Sequence, residues 1–109
     1  MTRKEAIREY KERKTPRGIF AIRCATTNRV WVGASRNLNA SKNSYWFCLR
    51  AGQHLDKSLQ EEWSAHGEPA FFYEILEKFD DDVHPMELSD LLKAKQSEWV
   101  ERMDAIRLL

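Results

Sequence analysis

No stretch of this 109-residue chain approaches the roughly 18 consecutive apolar residues that a membrane-spanning helix needs. Its first segment, MTRKEAIREYKERK, is charged throughout and holds no apolar signal region, so a cytoplasmic protein is expected and a secreted one is not. Cysteine is scarce: Cys24 and Cys48 stand alone without CxxC spacing, which favours reduced thiols over a disulfide framework. His54, His66 and His84 are scattered too, and no pair has the spacing of zinc ligands. With four glycines and three prolines there is no low-complexity linker to divide the chain, and no segment repeats. A single domain is therefore expected.

A dominant sign of charge is also missing. The 18 Lys/Arg and 17 Asp/Glu leave a net charge of +1, without the footprint of a strongly basic nucleic-acid-binding domain. The distribution is uneven, however. Residues 1–17 hold seven basic and three acidic side chains, a balance of +4, and the other 92 hold eleven and fourteen, a balance of −3. The basic excess falls on an expected first helix over 2–14, opened by Thr2 and Glu5 in capping-box form and stopped by Pro16. Lys4, Arg8 and Lys11 share one face of it. Like charges at that spacing repel by a few tenths of a kcal/mol per pair, so the face suits either solvent or an anionic partner.

Aromatic residues, in contrast, are plentiful: four Trp, five Phe and three Tyr supply ample core material for one domain. In GIFAIRCATTNRVWVG, residues 18–24 and 29–34 read as a β-hairpin turned by TTN. A second helix follows in NLNASKNSYWFCLRAG, with Leu38, Tyr45, Cys48 and Leu49 along one side and Gly52 as its stop. Leu55, Leu59 and Trp63 recur every four residues in a third, which Gly67 ends. The segment PAFFYEILEKF is a strand apolar on both faces, as expected of one in the middle of a sheet. The acids at 80–82 suit the dipole of a last helix that starts at Pro85, with a stripe of Leu88, Leu91, Leu92, Trp99 and Met103. The order α-β-β-α-α-β-α gives a small α+β domain, a three-stranded antiparallel sheet flanked by helices.

That order, with Gly18-Ile19-Phe20 on the first strand and Trp31-Val32-Gly33 on the second, ten residues between them, resembles the GIY-YIG nuclease family. The segment LRAGQHLDKSLQEEWSAHGEPAFFYEILE resembles the family's link between its helical region and third strand. The resemblance covers residues 18–79 as a family-like core. It makes 1–16 a basic helical extension and 83–105 the C-terminal helix of one domain over 1–109. In active members a sheet tyrosine helps deprotonate the attacking water, an arginine on the next helix stabilises the phosphate, and a glutamate on the last helix binds a divalent metal, usually Mg²⁺.

At the matching positions this chain departs from that set. The two tyrosines are matched by Phe20, which carries no hydroxyl, and by Trp31, whose indole N–H is only a donor. The arginine falls on uncharged Ser41, and the metal-binding glutamate on Gln96. His54 matches a histidine of some members. Neighbours that could substitute are Arg36, Arg50, Tyr45 and Glu98, although Glu98 stands about 200° around the helix from Gln96.

The resemblance therefore implies a GIY-YIG-like domain with a degenerate site that binds nucleic acid and is catalytically weak or inactive. Lys4, Arg8, Lys11, Trp31, Arg36 and Arg50 are its candidate contacts. Phe20 and Trp31 then either fill core or stack on bases. The first alternative is an active, divergent Mg²⁺-dependent endonuclease, the only case in which a cofactor is expected. The second is a protein–protein interaction module.

Overall fold

The computed structural model describes residues 16–79 and 84–108. The expected first helix, with Lys4, Arg8 and Lys11, and the acidic run at 80–82 lie outside these residues. Strand β1 (Arg17–Cys24) turns into β2 (Val30–Ser35), followed by helices α1 (Leu38–Arg50) and α2 (Lys57–His66). A short 3₁₀ turn (Glu68–Ala70) leads to β3 (Phe71–Phe79), helix α3 (Pro85–Met103) and a two-residue strand β4 (Ile106–Arg107).

Local chemistry accounts for the boundaries. The β1–β2 turn passes through Asn28 at φ 61°, a left-handed conformation that asparagine tolerates. Asn37 opens α1 by accepting from the Ala40 N–H, and Asp56 opens α2 by accepting from that of Leu59. Beyond α1 and α2, Gly52 at φ 71° and Gly67 at φ 82° turn the chain where an L side chain would be strained. Leu55, expected on the apolar stripe of the third helix, lies before its Asp56 cap and is 85% exposed. The four-residue period holds only for Leu59 and Trp63.

The sheet has four strands in the order β3-β1-β2-β4, and it is mixed: β1 pairs antiparallel with both β2 and β3, while β4 joins β2 in parallel. Two expectations change here. The sheet is neither three-stranded nor wholly antiparallel, and the inner strand buried on both faces is β1. β3 lies at an edge. It reads as apolar on both faces because a bulge opposite Ile19 and Phe20 shifts its register. Phe71 and Tyr73 therefore face one core, and Leu76 and Phe79 the other.

Alternation along β1 divides the interior in two. Phe20, Ile22 and Cys24, with Trp31 of β2, pack under α1 and α2 against Leu38, Trp46, Leu49, Leu59 and Trp63. On the other face Ile19, Ala21 and Val32 meet Leu88 and Leu92 of α3, with Trp99, Val100 and Met103 continuing the stripe. Each large apolar side chain so enclosed contributes about 1.5–3 kcal/mol. No helix among the described residues is long and apolar enough to cross a membrane.

Candidate functional site

The residues matched to the family's catalytic set begin on the β1–β2 hairpin. Its register puts Phe20 opposite Gly33 and Ile22 opposite Trp31. The Phe20 ring lies across Gly33 so closely that a Cβ there would stand 2.5 Å from the ring Cζ. It stacks on Tyr73 of β3 (centroids 5.1 Å, 21° between planes) and meets the edge of Tyr45 of α1 at 5.2 Å. Tyr45 in turn lies 4.9 Å from the His54 ring. An aromatic row thus runs from the edge strand to the α1–α2 loop, with the hydroxyl-free ring in its middle.

Phe20 and Trp31 both have zero exposure. Trp31 packs against Phe71 and donates its indole N–H to Ser58 Oγ at 2.9 Å. Neither ring has a face open to a base, so of the two roles considered for them the structure gives core packing. Trp31 cannot serve as a stacking contact in this conformation.

Ser41, at the arginine position, is buried in a closed hydroxyl relay. Its Oγ donates to the Asn37 carbonyl at 2.8 Å and contacts Ser35 Oγ, which accepts from the Asn37 N–H at 3.0 Å. The relay ties the end of β2 to the start of α1. Arg36 reaches across to Ser89 of α3. Arg50 stands nine residues along α1 from Ser41, about 13 Å at the helical rise, and forks onto Glu68 through bonds of 2.5 and 3.0 Å. The two guanidinium groups are thus engaged by Ser89 and Glu68, and neither hydrogen-bonds Ser41.

Gln96, matched to the metal-binding glutamate, is 5% exposed. Its Nε2 donates to the carbonyls of Val32 at 2.9 Å and Leu108 at 2.8 Å, clasping the C-terminal strand to β2. Glu98 is exposed and pairs with Lys95 at 3.3 Å. Mg²⁺ prefers anionic oxygen. The matched position instead presents an amide whose two hydrogens are held by main-chain carbonyls. No three His, Cys, Asp or Glu side chains converge among the described residues. These residues do not fit the family's metal.

His54 is shaped by its backbone neighbours. Its Nδ1 accepts the Asp56 N–H at 3.0 Å, which requires the neutral ring to carry its proton on Nε2. Burial, the main influence, lowers its pKa below the usual value and outweighs the nearby Asp56. Near neutral pH it is thus a fixed N–H donor. Burial raises the Tyr45 phenol, with the Asp56 carboxylate adding to the effect. Burial also raises Tyr73, against a smaller opposing effect of the Ser41 hydroxyl. Neither phenol has an unusual tendency to become a phenolate.

Gln60 braces the same loop, accepting from the His54 N–H and donating to the Leu49 carbonyl. Tyr73, Ser35 and Ser58 escaped sequence reasoning. Only the pairing of Tyr73 with Ile22, fixed by the β1–β3 register, could have pointed to the first of them.

No protein-family model and no curated protein matches the chain. Among solved structures it is similar to the catalytic domain of the homing endonuclease I-TevI, at 22% identity and a TM-score of 0.72, over 85% of this chain and 98% of that one. A point mutant of the catalytic domain of intron endonuclease I-TevI superposes equally well: 23% identity, TM-score 0.71, 83% of this chain and 86% of that one. The chain has a GIY-YIG nuclease-like fold.

Proposed function

We propose that this is a binding domain on a nuclease fold, with hydrolysis weak or lost and nucleic acid as the partner. One observation carries the reading: each position matched to the catalytic set is engaged in holding the fold together. Phe20 fills the space over Gly33, Trp31 donates to Ser58, Ser41 closes a hydroxyl relay and Gln96 clasps two carbonyls. A hydrolytic centre needs a proton acceptor, a fixed cation and an anionic metal ligand, and these four side chains supply none of them.

Nucleic acid as the partner is supported by the likeness to an endonuclease catalytic domain. It is also supported by the exposed cations Arg36 and Lys42 at the start of α1. Contacts would come from such charges and from Lys4, Arg8, Lys11 and Arg50, since the two hairpin rings are buried. A protein partner is the second reading, favoured by Phe47 and Leu55, which are 72% and 85% exposed.

The test is a cleavage and binding assay on single- and double-stranded DNA and RNA, with Mg²⁺, Mn²⁺ or EDTA, at two salt concentrations. The expected result is no cation-dependent cleavage and an affinity that falls steeply with salt. Metal-dependent cuts abolished by Arg36→Ala or Arg50→Ala would overturn the loss of hydrolysis. Absence of binding to every nucleic acid would leave the protein-partner reading.

A further inference from the structure

Continuing from the aromatic row, the α1–α2 loop and the side of α1 that carries Ser44, Tyr45 and Cys48 form an open cleft of about 270 Å³, with Gln53, His54, Leu55 and Asp56 as its other walls. Of the positions matched to the family, His54 lines it, and Phe20, Trp31, Ser41 and Gln96 do not. Its chemistry is specific. No lysine or arginine is on its walls and one carboxylate is, so a phosphate would meet repulsion without compensation. The apolar part of the wall is Leu55, the Cys48 thiol and the two adjoining rings.

The polar groups are of both kinds. The Nε2–H of His54 has no acceptor among the described residues, and its direction is set because Nδ1 is held by the Asp56 N–H. The Tyr45 hydroxyl is likewise without a partner there. Asp56 employs Oδ1 on Ser58 and the Leu59 N–H, which leaves Oδ2 as an acceptor. One fixed N–H donor, a rotatable phenol hydroxyl and one carboxylate acceptor, with the Ser44 and Gln53 side chains beside them, complement a neutral, planar ring whose edge alternates carbonyl oxygens and N–H groups. Such a ring occupies well under the volume of the cleft.

We infer that this cleft binds a single unpaired nucleobase, with His54 and Tyr45 donating to its edge and Asp56 accepting from it. The inference rests on nucleic acid being the partner, and it sharpens that reading: a base is available to the cleft in a single strand and not in an intact duplex.

The experiment uses the full chain with two probes, a mixed-sequence single-stranded DNA of about 12 nucleotides and the corresponding blunt duplex. Binding is measured by fluorescence anisotropy, and the ring signals of Tyr45 and His54 are followed by NMR. Tyr45→Phe keeps the ring and removes the donor. His54→Asn keeps an acceptor for the Asp56 N–H and removes the Nε2 donor. Each variant should weaken single-strand binding about five- to tenfold, the effect of one lost hydrogen bond, with duplex binding unchanged. The Tyr45 and His54 signals should shift with the single strand only. Single-strand binding unaffected by both variants would overturn the base site and leave the binding domain standing. No binding to either probe, nor to the RNA strand of the same sequence, would overturn both.

Discussion

Placing an acid at the position matched to the family's metal-binding glutamate, by Gln96→Glu, should destabilise this protein in a pH-dependent way. The amide donates to two main-chain carbonyls at 2.9 and 2.8 Å from a position 5% exposed. A carboxylate there loses both hydrogen bonds and points its charge at two carbonyl oxygens. Val32 O keeps its bond from the Leu108 N–H at 2.9 Å, whereas no other donor among the described residues reaches Leu108 O. The lost bonds cost about 1 kcal/mol each, and the buried, unpaired charge adds about 1–3 kcal/mol. A deficit of roughly 3–5 kcal/mol at pH 7.5 is a large share of the about 5–15 kcal/mol that holds a small domain folded.

The sign of the pH dependence follows from the site. Low exposure and facing carbonyls raise the folded-state pKa of the introduced acid above its unfolded value. The folded variant is then relatively favoured below the unfolded pKa, and that advantage is lost as pH rises through the folded one. Protonated, the side chain can also donate one of the two bonds. Urea denaturation of both proteins at about pH 4.5 and pH 7.5 should show a small gap at the lower pH and a wide one at the higher. Equal stability at pH 7.5, or a gap independent of pH, would refute the clasp.

Two further perturbations follow from the same geometry. Gly33→Ala sets a Cβ 2.5 Å from the Cζ of a fully buried Phe20 and should cost about 1–3 kcal/mol. Phe20→Leu in the same chain should recover part of that loss, and strictly additive losses in denaturant melts would show that the ring and the glycine do not meet. Proton NMR should find His54 titrating below its usual value of 6.5. Because the folded pKa is the lower one, His54 contributes stability above the unfolded pKa that is lost as pH falls through the folded one. A midpoint at or above the usual value would contradict the burial of its ring.

How much of this was legible in the sequence varies with the kind of signal. The hairpin and α3 announce themselves through β-forming runs around TTN and through an apolar stripe of Leu88, Leu91, Leu92, Trp99 and Met103, of which all but Leu91 join the core beneath α3. The strand order does not, because a bulge puts apolar residues of an edge strand on both faces and so imitates a central one. β4, two residues long, is too short for any periodicity. In α1 the sequence puts Leu38, Tyr45, Cys48 and Leu49 along one side, and the structure buries Leu38 and Leu49 together with Ser41 and Trp46. At the site, the sequence disclosed which side chains lack hydrolytic chemistry. That Ser41 and Gln96 are hydrogen-bonded into the framework depends on contacts with Ser35, Val32 and Leu108 that only folding creates.

The two hallmark glycines have lost none of their work. At Gly18 a Cβ would fall 1.8 Å from the Glu77 carbonyl oxygen, within the backbone of β3. At Gly33 it would enter the Phe20 ring. Both positions therefore report on volume: one lets neighbouring backbones close together, the other leaves a floor for a ring. The side chains between them report on reactivity, and the two kinds of information are separable. A hairpin can keep the glycines, and with them its shape, whatever reactive groups stand between them.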